Sequence, residues 1–581
     1  MPPPFGAHYG GTQYSSVEEP SGGDRTDQGG WGKIVSRRRG RRRRVLPRVS
    51  IRNLVIAQLL GAGAGAAAAG FGATWWPAVA VGAAVALLGL IPVGGRCVLD
   101  WAATGWRYLL RRERRLGETS DFRVPSGPVV GLHWDDGSVV AVIEVLPIPG
   151  NLTQVTRDGF ESVHRLPVLA LADSMTQHDI ILGGIDIVSH GYRASAGSPA
   201  TEVYDQLVGP LPAMAQRTVW LAVRFDATAQ SGAVTRRGGG TTGAARAASV
   251  AALRIVRALS ESGCPSRLLT AGEITSAAAQ ITRGVRPDSF ARSWSHTPLP
   301  GVCNTGYAID PRVLSDELLA KLWVPSSLGT TVTVRLRPGA RAGEVRVAAS
   351  CRMTTRTLPE RLDLPGLISM QGRQAGGLIS NLPFASADLD SLTPFTDFSA
   401  AQLDALALPL SGCGQLIGSD NYGHGLTARI VGPEIEYVDV LGELYLAQQL
   451  VFRAIATGAR IQIHSDRPQV WGSLIDSIAT PDRLRLIDDP TRLDPTFTAV
   501  LFDGVEPVPP RAGVTTIRVR DVHEPESAID PQISIVQPGA SGDRVTLRAD
   551  GNQVDLVLVT IAQETAFIGR PRATRPLQPA R

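Results

Sequence analysis

Residues 53–95 read NLVIAQLLGAGAGAAAAGFGATWWPAVAVGAAVALLGLIPVGG, 43 positions without one charged side chain. About 20 apolar residues carry a helix across a bilayer. The stretch is therefore long enough for two crossings and a turn. Thr74-Trp75-Trp76-Pro77 lies near its middle. Tryptophans favour the headgroup level and proline suits a first helical turn. We expect a two-helix transmembrane hairpin over residues 53–96, with spans at about 54–73 and 78–94.

Arginines stand on both sides. Arg37, Arg38, Arg39, Arg41, Arg42, Arg43, Arg44, Arg48 and Arg52 precede the stretch, and Arg96, Arg107, Arg111, Arg112, Arg114 and Arg115 follow it. Basic residues on both flanks of two spans place both flanks, both termini and the body in the cytoplasm. They also suit anionic membrane lipids. A nucleic-acid arm would explain only the first cluster, and no nucleic-acid partner is expected. About 50 residues precede the stretch, more than the n-region of a signal peptide.

The composition of the first span raises a further point. Small residues four apart, Gly61 with Gly65 and Ala66 with Gly70, allow a helix to approach closely. That helix is either the second span or one from another protein.

The charge distribution separates membrane segment from body. Up to Gly117 there are 17 Lys plus Arg against six Asp plus Glu, so this segment is net +11 and the remainder net −6. Five scattered cysteines suggest reduced thiols rather than a disulfide framework or a zinc site. Residues 1–36 read as a disordered tail, 37–52 as a basic juxtamembrane segment and 97–118 as an amphipathic connector.

Beyond residue 118 strand and helix patterns alternate, as in an α/β body of mixed sheets with flanking helices and two sub-domains. Asp135-Asp136-Gly137 reads as a hairpin turn. A loop containing Gly238-Gly239-Gly240 precedes a long helix ending at Gly263. Thr270-Ala271-Gly272-Glu273 is a capping box. Residues 119–361 form the first expected domain, 362–400 a polar linker and 401–581 the second domain.

Motifs for chemistry are scarce. Neither lysine, Lys33 or Lys321, sits in a Walker A loop, and neither a zinc-protease helix pair nor a Gly-x-Ser-x-Gly elbow is present. The glycines of GGGTTG (238–243) do not directly follow a strand, as a dinucleotide site requires. Asp388 and Asp390 form an Asp-x-Asp of the kind that holds a metal on a nucleotide sugar, but in a linker. Residues 464–468, His-Ser-Asp-Arg-Pro, read chiefly as a helix cap, with anion binding as the alternative. No catalytic residue, cofactor or metal is expected.

Three segments carry a resemblance: VGLHWDDGSVVAVIEV (130–145), AARAASVAALRIVRALSESGCPSRLLTAGEI (244–274) and GARIQIHSDRPQVWGSLI (458–475). With the basic N-terminus and paired spans, they resemble the EccE family of mycobacterial type VII (ESX) secretion systems. The resemblance implies a non-catalytic structural and assembly subunit of the inner-membrane translocon. It implies a large hetero-oligomeric complex with EccB, the ATPase EccC, EccD and the mycosin protease. The alternative from another class is a membrane-anchored, glycosyltransferase-like enzyme.

Overall fold

The computed structural model describes residues 51–570, apart from 94–95, 111–116, 126, 292, 342, 359–361, 363, 385, 490–491, 493, 522–528 and 541. The expected tail, Arg37–Arg39, Arg41–Arg44, Arg48, Arg111, Arg112, Arg114 and Arg115 lie outside the described residues.

The uncharged stretch forms two helices, α1 (Ile51–Gly70) and α2 (Trp75–Leu90). The turn falls at Phe71–Thr74, earlier than expected. Trp75, Trp76 and Pro77 open α2 instead of forming the bend, with Thr74 as its N-cap. Proline fits there because the first-turn N–H groups lack intrahelical acceptors. Only α1, at 20 residues, is long and apolar enough to cross a membrane among the described residues; α2 has 16. A third helix, α3 (Val98–Leu110), follows.

The body is a mixed α/β structure built on two large sheets. The first sheet is antiparallel. Its main path runs Thr297–Leu299, Val302–Ile309, Val345–Thr355, Gly329–Pro338, Gly184–Tyr192, Gln216–Asp226, Ser138–Val145, Val129–Asp135 and Glu118–Arg123. Side chains alternate between faces along a strand. Val139, Ala141 and Ile143 thus join a core covered by helix Gly240–Glu261, whereas Val140 and Val142 join one covered by helix Ala271–Thr282. Asp136 and Gly137 take positive φ (42° and 80°) in the two-residue turn, as a tight hairpin demands. The Thr270–Glu273 capping box forms. Residues before Gly238, expected as loop, contain a short helix, Ser231–Arg236.

Six parallel strands begin the second sheet: Leu484–Leu486, Ile461–Ser465, Ala499–Asp503, Thr515–Arg520, Tyr437–Leu441 and Ile533–Val536. Antiparallel strands extend it, and the last two, Leu152–Val155 and Phe160–Ser162, come from the chain segment otherwise belonging to the first sheet. Residues 362–400, expected as a linker, are part of the body. Leu367–Ser369 pairs with Val302–Ile309, Thr396–Phe398 pairs with Val345–Thr355, and helix Gln374–Ile379 is mostly buried.

Candidate functional site

The helices are fastened to the body at one end. Asn53 Nδ2 donates to Asp100 Oδ2 at 2.9 Å, and Arg52 Nη2 lies 4.0 Å from Asp100 Oδ1. Trp101 Nε1 donates to the Val93 carbonyl at 2.9 Å. On its body side α3 buries Thr104 and sets two aromatic rings on Trp294, Trp101 stacked at 6.0 Å and Tyr108 edge-on at 5.4 Å. Arg96 donates to the Ser369 carbonyl and covers the Trp101 ring, while Arg373 donates to Thr104 Oγ1. Gly372 has φ +72°, and a Cβ there would stand 2.7 Å from Thr104 and 2.8 Å from Trp294. Glycine is required by both conformation and space. Burial and the nearby Arg373 charge lower the Arg96 pKa to about 10, outweighing Asp100.

Gly61 and Gly65 face α2. A Cβ on Gly61 would lie 2.6 Å from the Gly82 carbonyl oxygen, and one on Gly65 would lie 3.0 Å from that of Ala78. Ala66 is exposed on the rim of a groove of about 560 Å³ between the helices, and Gly70 meets nothing within 4 Å.

Asp388 and Asp390 part company. Asp388 is exposed, whereas Asp390 receives Arg337 Nη2 and Nε at 2.7 and 2.8 Å and Arg224 Nη1 at 3.3 Å. Arg337 Nη1 also donates to Asp186 at 2.5 Å, and Arg335 Nε stands 3.6 Å from Asp186. Burial alone would raise the Asp390 pKa. The Arg337 hydrogen bonds and the charges of Arg337, Arg224 and Arg335 outweigh that and hold it below the usual carboxylate value. Asp390 and Asp186 converge with arginines, not with other acids. Among the described residues no group of three His, Cys, Asp or Glu is disposed to hold a metal.

The 464–468 segment centres on Asp503, which the sequence reading did not single out. Asp503 accepts from Ser465 Oγ (2.8 Å), Arg467 (2.5–3.2 Å) and Trp471 Nε1 (2.8 Å). Its acceptor sites are filled from its own chain. Other polar groups missed from sequence are those at the junction: Asn53, Asp100, Trp294 and Arg373. The available signal was Asn53, the only amide besides Gln58 in the uncharged stretch, and Asp100, the first acid after it.

The profile of the family described as "Putative type VII ESX secretion system translocon, EccE" matches residues 213–309. These residues run from the Gln216–Asp226 strand through both sheet-covering helices to Val302–Ile309. The ESX-5 secretion system protein EccE5 of Mycobacterium tuberculosis is 28% identical over 53% of this chain and 80% of its own length. The ESX-1 protein EccE1 of Mycolicibacterium smegmatis is 26% identical over 67% and 76%. This chain is similar to EccE proteins of type VII secretion systems. The EccE5 protein of Mycobacterium marinum is likewise similar, 26% identical over 54% of the chain and 80% of its own length. The three segments quoted from the sequence differ in standing: 244–274 lies inside the matched profile, while 130–145 and 458–475 lie outside it.

Proposed function

We propose that this EccE-like chain is a non-catalytic structural and assembly subunit of a type VII secretion translocon in the inner membrane. The observation that carries the reading is the junction, where an apolar helix pair is held to a large body through α3. A body tied so closely to its anchor suits a part that holds position within a complex.

In this reading α1 and α2 both cross the bilayer. At about 1.5 Å per residue α2 covers about 24 Å, somewhat less than a hydrocarbon core of about 30 Å. Local thinning and interfacial Trp75 and Trp76 accommodate such a mismatch. Both flanks and the body stand in the cytoplasm, with the arginines on that side. The proposed partners are EccB, EccC, EccD and the mycosin protease, together with membrane lipids. The groove beside Gly61, Gly65 and Ala66 offers one place where a partner helix could approach.

The test is purification of the tagged full chain from membranes in mild detergent, with mass spectrometry of what accompanies it. Co-purification of the other translocon subunits is expected. A chain that leaves the membrane alone, at normal abundance, would contradict the proposal.

A further inference from the structure

Between α3 and the body lies an open cavity of about 570 Å³. Its α3 wall includes Trp106, Arg107 and Leu110, and its body wall includes Arg373, Asp388 and Leu392. The cavity is amphipathic, with two guanidinium-bearing residues and one carboxylate among apolar neighbours.

The charges around it do not balance. Arg107, Arg96 and Arg52 all act on or feel the charge of Arg373. Among the described residues that line the cavity, Arg107 and Arg373 stand against one carboxylate, Asp388. Arginine forks match phosphate oxygens, and an excess of them near a surface attracts anionic groups.

The surroundings point to a lipid. The cavity is walled by α3, the same helix whose first turn bonds to Asn53 and Val93 at the end of the α1–α2 pair. Trp106, Leu109 and Leu110 on α3 are 66%, 75% and 61% exposed. Large exposed apolar groups next to basic ones suit the boundary between headgroups and acyl chains.

We propose that this cavity binds the phosphate headgroup of an anionic phospholipid, with Arg107 and Arg373 as its charged donors and Trp106 and Leu110 toward the acyl chains. The site rests on the membrane reading of α1. It would make the seating of the body on its anchor depend on lipid charge.

The test uses the full chain purified in mild detergent as wild type, Arg107→Ala, Arg373→Gln and, as a distant surface control, Arg254→Ala. Each is mixed with phosphatidylcholine or phosphatidylglycerol, and native mass spectrometry measures the lipid retained. Wild type and Arg254→Ala should retain phosphatidylglycerol over phosphatidylcholine. Each cavity variant should lose about fivefold of that retention, the usual worth of one arginine near an anionic surface. Arg107 is exposed, so its variant remains informative if Arg373→Gln loosens the Thr104 contact. Equal retention of both lipids by wild type, or unchanged retention in Arg107→Ala and Arg373→Gln, overturns the site. Displacement by inorganic phosphate would assign the cavity to a soluble anion and overturns the lipid proposal. Fractionation of the same wild-type protein separates the two levels. If it sediments with membranes yet shows no lipid preference, the membrane reading stands and the site falls.

Discussion

Asn53 and Asp100 meet across 2.9 Å, joining the first turn of α1 to the first turn of α3 although 47 positions separate them. The apolar helices therefore leave and return at one end, and the body is fastened at that end. Hydrogen bonds to a charged partner contribute about 1.5–3 kcal/mol. Asp100→Ala should lower stability by about that amount in thermal unfolding of the detergent-purified chain, and should expose the segment after Arg96 to trypsin. Asp100→Asn, which still accepts hydrogen bonds, should lose less. Identical melting of all three proteins would show that the fastening does not depend on this bond.

Gly61 and Gly70 should respond differently to the same change. Leucine at Gly61 would push against the Gly82 carbonyl, whereas Gly70 faces open space. Overpacking of this kind costs about 1–3 kcal/mol. Gly61→Leu should therefore reduce the amount of chain in the membrane fraction or its melting temperature, and Gly70→Leu should leave both unchanged. Matching effects would mean that contact between α1 and α2 does not set the tolerance.

The Asp-x-Asp separates in the same way. Asp388→Ala should change stability by no more than about 0.5 kcal/mol, as at an ordinary surface position. Asp390→Ala removes a carboxylate from Arg337 and Arg224 and should cost about 3 kcal/mol. Because the folded-state pKa of Asp390 is depressed, its contribution is complete above the unfolded value of about 4 and is lost as pH falls through the folded value. Denaturant titrations of wild type and Asp390→Asn should differ near neutral pH, begin to converge below about pH 4 and meet only below the lower folded value. A gap that persists in acid would assign the effect to packing instead of charge.

Arg453 and Glu564 form a fully buried pair, 2.7 Å apart, that ties helix Ala562–Ile568 to helix Leu444–Ala456. Glu564→Ala leaves a buried guanidinium without its carboxylate, a loss of about 3–5 kcal/mol. Limited proteolysis should then cut near the Ala562–Ile568 helix well before the rest of the body. Wild-type resistance in the variant would argue against the pair as a latch.

Local features were legible in the sequence, and long-range ones were not. Asp136-Gly137, the Thr270–Glu273 box and the long helix ended by Gly263 each depend on neighbouring residues, and each formed. The Leu152–Val155 strand looked continuous with the first domain because nothing local tells it to pair with Gly425–Ala428, some 270 positions away. Residues 362–400 looked like a linker because Gly, Ser, Asp and Pro are frequent there. Their role is to cover polar side chains that the first sheet points toward them. Arg335 and Arg352 alternate with apolar residues as on a solvated strand, yet both are buried, Arg335 against Ser380 and Arg352 against Asn304. Composition shows the alternation but not what lies over it. At the junction the amphipathic pattern of 97–118 shows an apolar face but not what it meets: Trp101 and Tyr108 turn inward onto Trp294.

The most direct measurement is cysteine labelling in intact cells with a reagent that does not cross membranes. The five native cysteines give little background, four being buried and Cys303 partly so. Phe71→Cys places a thiol in the 94% exposed turn between α1 and α2, and Glu118→Cys places one at the start of the body. The account predicts labelling at position 71 and protection at position 118 until the cells are opened. Labelling at position 118 in intact cells would put the body on the wrong side of the membrane for the proposed translocon subunit and contradict the account.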